Sequence, residues 1–165
     1  IDVKSFKSIK KTPLIVVLDN IRSLNNIGSI FRTCDAFLVS KIYLCGITAQ
    51  PPNRKINKTA LGSTESVEWE YFKSTKKIIE KLKSKGVKIW SIEQVEKAKK
   101  LHEIEEIDKG IEHAVVFGNE IKGVSQEIID ISNNTIEIDQ YGTKHSLNVT
   151  VAAGIVVWKF YNSLN

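Results

Sequence analysis

Apolar positions along this chain fall into two rhythms. Leu14-Ile-Val-Val-Leu18 and Ala114-Val-Val-Phe117 are continuous apolar runs, stopped by Asp19-Asn20 and by Gly118. Such short unbroken runs suit strands buried on both faces of a sheet. Lys41-Ile-Tyr-Leu-Cys45, Val87-Lys-Ile-Trp90 and Thr135-Ile-Glu-Ile138 read as further strands, and Val67-Glu-Trp-Glu-Tyr-Phe72 alternates as a half-buried strand does. Between them the spacing changes to three and four. Ile27, Ile30, Phe31 and Cys34 predict a helix from about Asn26, after the polar turn Arg22-Ser-Leu-Asn-Asn26. Ile78, Ile79 and Leu82 predict an amphipathic surface helix over 74–85, with lysines opposite and Gly86 as its stop. Short helices are predicted around 56–61 and over 125–131. Gln50-Pro-Pro-Asn-Arg-Lys55 must be loop, because consecutive prolines prevent both helix and sheet pairing.

The run 141–158 is the least ordinary stretch. A polar loop with Gly142 turns apolar on almost every side from Leu147 to Trp158. Its β-branched residues favour a strand, but it is too long for an ordinary one, and Ala152-Ala-Gly154 favours a helix packed closely on its neighbours. The expected element is a buried helix capped by Ser146, with Asn148 at its mouth. Free backbone N–H groups at such an N-terminus attract polar or anionic ligand groups. Strands alternating with helices, some strands apolar on both faces, specify an α/β fold with a mainly parallel sheet flanked by helices. Residues 1–12 are polar, lysine-bearing and without a clear period, expected to be a tail or a connection to upstream sequence. The domain proper runs over 13–165.

Composition narrows the classes. With 165 residues, 42% of them hydrophobic and 26% charged, the chain is long enough for one domain with a sizeable core. The 147–158 run is too short to span a membrane. Two cysteines, Cys34 and Cys45, without a CxxC pair, argue against a disulfide framework or a zinc site and favour a reduced, cytoplasmic setting. A net charge of +5 leans mildly towards a polyanionic partner. Residues 93–113 are charge-rich with weak periodicity at Leu101, Ile104 and Ile107, and Glu103, Glu105 and Glu106 read as a solvated face. His102 and His113 lack metal-ligand spacing, His145 beside Ser146 lacks a nucleophile elbow, and Trp69, Trp90 and Trp158 sit within regular elements as core residues.

In open α/β sheets ligands bind beyond the carboxyl ends of the strands, and three of those ends carry unusual residues. The first, Asn26-Ile-Gly28-Ser-Ile-Phe-Arg32, sets a glycine at a turn and an arginine on a helix expected to be largely buried, where a guanidinium needs a phosphate or carboxylate partner. The second, Val116-Phe-Gly118-Asn-Glu120-Ile-Lys-Gly123, puts two glycines around a carboxylate after a buried strand, which allows close backbone approach to a ligand. It is neither a Rossmann fingerprint nor a P-loop. The third is Ile138, Gly142 and Ser146-Leu-Asn148-Val-Thr-Val-Ala-Ala.

In this order and spacing the three segments resemble the SpoU (TrmH-like) RNA 2′-O-ribose methyltransferases of the SPOUT superfamily, over nearly the whole chain from Pro13 onward. The resemblance implies a C-terminal trefoil knot, which general topology rules argue against, and homodimers with active sites near the interface. It implies an S-adenosylmethionine (AdoMet) pocket contacted by Gly118, Ile138 and Leu147, with Phe117 and Gly123 nearby. Asn26, Arg32, Glu120, Ser146 and Asn148 would form the catalytic neighbourhood, with no metal. Arg32 is expected to clamp a phosphate and stabilise charge developing on the 2′-oxygen, since a guanidinium is hardly ever neutral. Many relatives carry Pro-Met where this chain has Asp139-Gln140, which adds a negative charge beside the cofactor loop. The activity implied is methyl transfer to a ribose 2′-hydroxyl of structured RNA, tRNA first and rRNA as the nearer alternative. The rival reading, a non-catalytic RNA-binding relative, is disfavoured by the retained Arg32, Glu120, Ser146 and Asn148.

Overall fold

The computed structural model describes residues 1–165. Its strands are β1 (Thr12–Asp19), β2 (Val39–Cys45), β3 (Trp69–Phe72), β4 (Lys88–Ile92), β5 (Lys99–Lys100), β6 (His113–Gly118) and β7 (Asn134–Glu137). They form one sheet in the order β3-β2-β1-β6-β4-β7-β5, and every pairing is parallel. The helices are α1 (Val3–Ser8), α2 (Leu24–Ala36), α3 (Arg54–Ala60), α4 (Ser63–Ser66), α5 (Thr75–Ser84), α6 (Gln126–Ile131) and α7 (Val149–Leu164).

The two continuous apolar runs became the central strands, because strands covered by helices on both faces need apolar side chains pointing both ways. In β1, Leu14, Val16 and Leu18 enter the larger core cluster beneath α2, α3 and α7, while Ile15 and Val17 enter the smaller one beneath α5 and α6. β6 divides likewise, with Val115 and Phe117 to one side and Ala114 and Val116 to the other. Each fully buried side chain of this kind stabilises by about 1.5–3 kcal/mol. After β3 the chain crosses to the far side of β1, and β6 then takes the place between β1 and β4. The parallel arrangement gathers the carboxyl ends of β6, β4 and β7 on one edge.

Several sequence expectations change. Residues 1–12 are not merely a tail: Asp2 caps α1, accepting from the Ser5 N–H at 2.7 Å, and Phe6 is buried in the larger core. One aromatic in a polar run has no period to reveal it. Leu101, Ile104 and Ile107 are likewise core residues, although their stretch reads as surface. His113 is wholly buried, its Nδ1 accepting from the Trp90 indole N–H at 3.0 Å and its Nε2 bonded to the Asp108 carbonyl at 2.6 Å. Gly28 lies inside α2 rather than at a turn. A Cβ there would collide with Thr59 and the Ile56 carbonyl of α3, so the glycine permits close helix packing.

The last helix departs most. It begins at Val149, and its cap is Asn148, whose Oδ1 accepts from the Thr150 N–H at 2.8 Å; Ser146 lies in the preceding loop. Nor is it buried all round. Ala153, Val156, Val157 and Phe160 face the core, but Val151, Ile155 and Trp158 are 49%, 38% and 56% exposed, and nothing packs on Gly154. Trp158 is thus a surface residue. An apolar helix face is buried only where a neighbour covers it, and within this chain that stripe has none.

Candidate functional site

An open groove of about 400 Å³ lies across the carboxyl ends of β6, β4 and β7. Its floor and walls include Phe117, Gly118 and the turn to Gly123 after β6, Ile92 at the end of β4 with Glu93 after it, and Ile138 after β7. Ser146, Leu147, Asn148, Val149 and Ala152 close it from the loop and first turn of α7. Ligand sites are commonly concave and of a few hundred Å³ or more; this one is lined by more polar than apolar residues. All five residues expected at the cofactor, Phe117, Gly118, Gly123, Ile138 and Leu147, line this groove.

The turn after β6 is shaped by its glycines and one asparagine. Asn119 and Gly123 exchange backbone hydrogen bonds at 3.1 and 2.8 Å, and the Asn119 Oδ1 accepts from the N–H groups of Ile121 and Lys122, each at 3.0 Å. Gly118 faces the Gly123–Val124 backbone so closely that a Cβ would overlap it. Gly123 adopts φ +69°, the left-handed region that favours glycine. The Asn119 Nδ2 ties the turn to the Asn20 carbonyl at 2.8 Å.

This geometry delivers Glu120 to the start of α2. Its carboxylate accepts from the Arg22 N–H at 2.9 Å, the Ser23 N–H at 2.9 Å and the Asn26 Nδ2 at 3.3 Å. Burial pushes the Glu120 carboxyl up, but the N–H groups of Arg22 and Ser23 and the Asn26 amide outweigh it and hold it below the usual carboxylate range. Glu120 is therefore an anion at neutral pH and no proton donor. Asn26 is oriented in turn, so these two expected catalytic residues form one unit. Ser146 and Asn148 stand on the opposite wall. With the Asn148 Oδ1 committed to the helix cap, its Nδ2 is the donor left for a ligand.

Arg32 is not brought to this groove. It is exposed on α2, beside a shallow hollow shared with Asp2, Phe6, Asp35 and Glu65, and forms no ion pair within the chain. The expected burial fails because only the face of α2 carrying Ile27, Ile30, Phe31 and Cys34 turns inward. Asp139 also turns away from the groove, pairing with Lys100 at 3.1 Å and accepting from the Tyr141 hydroxyl at 3.0 Å. Its charge is spent on β5, so Gln140 rather than Asp139 meets the groove. Sequence reasoning missed Glu93, which lines the groove from the start of the stretch read as charge-rich with weak periodicity. A lone glutamate among many charges carries no signal of its own.

Comparison with known proteins bears on this arrangement. The family model described as the SpoU rRNA Methylase family matches residues 13–158. A tRNA (guanosine(18)-2′-O)-methyltransferase of Aquifex aeolicus is 34% identical over 157 residues, covering 91% of this chain and 69% of that protein. The crystal structure of an A. aeolicus TrmH/SpoU tRNA modifying enzyme superposes with a TM-score of 0.84 at 30% identity, covering 98% of this chain and 80% of the other. An AdoMet-bound rRNA methyltransferase from Sinorhizobium meliloti superposes with a TM-score of 0.85 at 25% identity, covering 97% and 60%.

Proposed function

The chain belongs to the SpoU rRNA methylase family, and from that premise we propose that it methylates the 2′-hydroxyl of a ribose in tRNA, using AdoMet. The observation that carries this reading is the groove itself. Every cofactor residue the family pattern assigns lines it, and Glu120, Ser146 and Asn148 line it too. The groove suits the cofactor chemically: Gly118 and Gly123 let the turn after β6 pack tightly on itself and on Glu93, while Phe117, Ile138 and Leu147 offer apolar surface for a purine.

AdoMet, when bound, supplies an electrophilic methyl group on a sulfonium. The chain's own part is to hold and orient, which is where positioning lowers a barrier most. Glu120, kept anionic, fixes Asn26 and the first turn of α2 at one end of the groove. Ser146 and the Asn148 amide offer hydrogen bonds to the target ribose. Arg32 holds a phosphate of the RNA and opposes charge developing on the 2′-oxygen.

Two further features belong to this reading. The segment 138–148 forms the family's trefoil knot; what supports this is that the chain leaves β7 beside β5 and returns across the sheet to seat α7 on α2, β1 and β6. The active form is a homodimer joined through the Val151, Ile155 and Trp158 stripe, in which Arg32 serves the groove of the opposite protomer. The exposure of that stripe and the absence of Arg32 from its own groove support it.

Complementation tests the whole assembly. Arg32→Ala and Asn148→Ala homodimers should each lose methyl transfer to tRNA transcripts, while Arg32→Ala still binds AdoMet in isothermal titration. Random remixing of the two should restore about a quarter of the sites, since half the dimers then carry one intact site. No AdoMet heat from the wild type refutes the enzyme reading, and no recovery on mixing refutes the crossed site.

A further inference from the structure

The geometry points to Glu93 as the positioning residue of the cofactor groove, an inference that rests on the AdoMet reading above. Glu93 follows β4 and touches all three strand ends that build the groove. Its backbone N–H donates to the Ile136 carbonyl at 3.0 Å, tying it to β7 two residues before Ile138. Its Oε2 accepts from the Val124 N–H at 3.0 Å, just after the glycine turn that follows β6. Its Oε1 accepts from the Gln94 N–H at 3.1 Å. A Cβ on Gly123 would strike the Glu93 carboxylate, so the turn lies as close to it as a glycine allows.

Elsewhere the turn is tied to the rest of the chain by Glu120 on α2 and by Asn119 on Asn20. Glu93 ties its Gly123–Val124 end to β4. No lysine or arginine pairs with it, so its contacts are those to backbone N–H groups. Val124 is 4% exposed, so water cannot readily replace the lost acceptor at its N–H. The turn carrying Gly118 and Gly123 then loses its inner support. A glutamine keeps one oxygen for Val124 and leaves only the exposed Gln94 amide to solvent.

The test compares Glu93→Ala and Glu93→Gln with the wild type for AdoMet affinity, steady-state kinetics and amide exchange. Glu93→Ala should weaken AdoMet binding at least about tenfold and raise its KM alike, with kcat at saturating AdoMet and KM for RNA within about threefold. The Val124 amide should exchange faster while those of β1 and β6 keep their protection. Glu93→Gln should recover affinity to within about threefold. An alanine variant that binds AdoMet within twofold of wild type overturns the assignment. So does a glutamine variant as weak as alanine, which would mean that the charge itself contacts the ligand. So does parallel damage to kcat, RNA KM and core amide protection. A wild type that binds no AdoMet fails the proposed function instead, and is distinguishable on that ground.

Discussion

Replacing Glu120 by alanine removes the acceptor for two backbone N–H groups and one side-chain amide at the start of α2. Hydrogen bonds to a charged group contribute about 1.5–3 kcal/mol each when enclosed. Glu120 is only part-buried and the Arg22 amide is exposed, so water replaces much of that. An anion at a helix N-terminus adds about 0.3–1 kcal/mol. The net cost is about 2 kcal/mol, and at roughly 2–4 °C per kcal/mol for a domain of this size the melting temperature falls by about 4–8 °C. Glu120→Gln keeps one acceptor and should lose about half as much. The folded carboxyl lies below its ordinary value near 4.5, so the stabilisation is present above that pH and is lost as pH falls through the folded value. Thermal unfolding by circular dichroism at pH 7, 5, 4 and 3 should therefore show a wild-type advantage over Glu120→Gln that is steady down to pH 5 and then shrinks. A difference that stays constant to pH 3, or a glutamine variant as stable as wild type at pH 7, refutes the account.

Two other outcomes follow from the structure. Ile155→Asp with Trp158→Asp puts two charges on the exposed α7 stripe; if that stripe joins the proposed homodimer, the wild type should sediment as a dimer and this variant as a monomer, with the melting temperature of the protomer little changed. Burial holds His113 below its usual value near 6.5, against the opposing Asp108 carbonyl, so the unfolded chain takes up a proton first and stability declines as pH drops below 6.5. His113→Phe should cost about 1–3 kcal/mol at pH 7 through the unpaired Trp90 indole, yet flatten the decline between pH 6.5 and 5 seen in denaturant titrations.

Much of the architecture was legible because local patterns carry it. The doubly apolar runs at 14–18 and 114–117 read as buried strands and the lysine-faced repeat at 74–85 as a surface helix, and the structure has them so. That Gly118, Gly123, Ile138 and Leu147 would share one groove was legible through motif order, because the turn after β6, the end of β7 and the loop before α7 meet at one sheet edge. Phe6, His113 and the Leu101–Ile107 stretch were hidden because their burial comes from elements that pack over them, not from any period of their own.

By itself the sequence determined the class of fold and most of the run of strands and helices, since period and turn residues act over a few positions. Only the tertiary structure decided how those loops meet. It bonded Glu120 to the start of α2, moved the last helix cap from Ser146 to Asn148, and recruited Glu93 to the groove. It also left Arg32 and the Val151–Ile155–Trp158 stripe facing outward. Apart from the helix cap, a bond between residues two positions apart, these are outcomes of contacts between residues tens of positions apart. Whether an apolar or charged side chain is covered depends on what another segment, or another chain, places against it, and that information is not local.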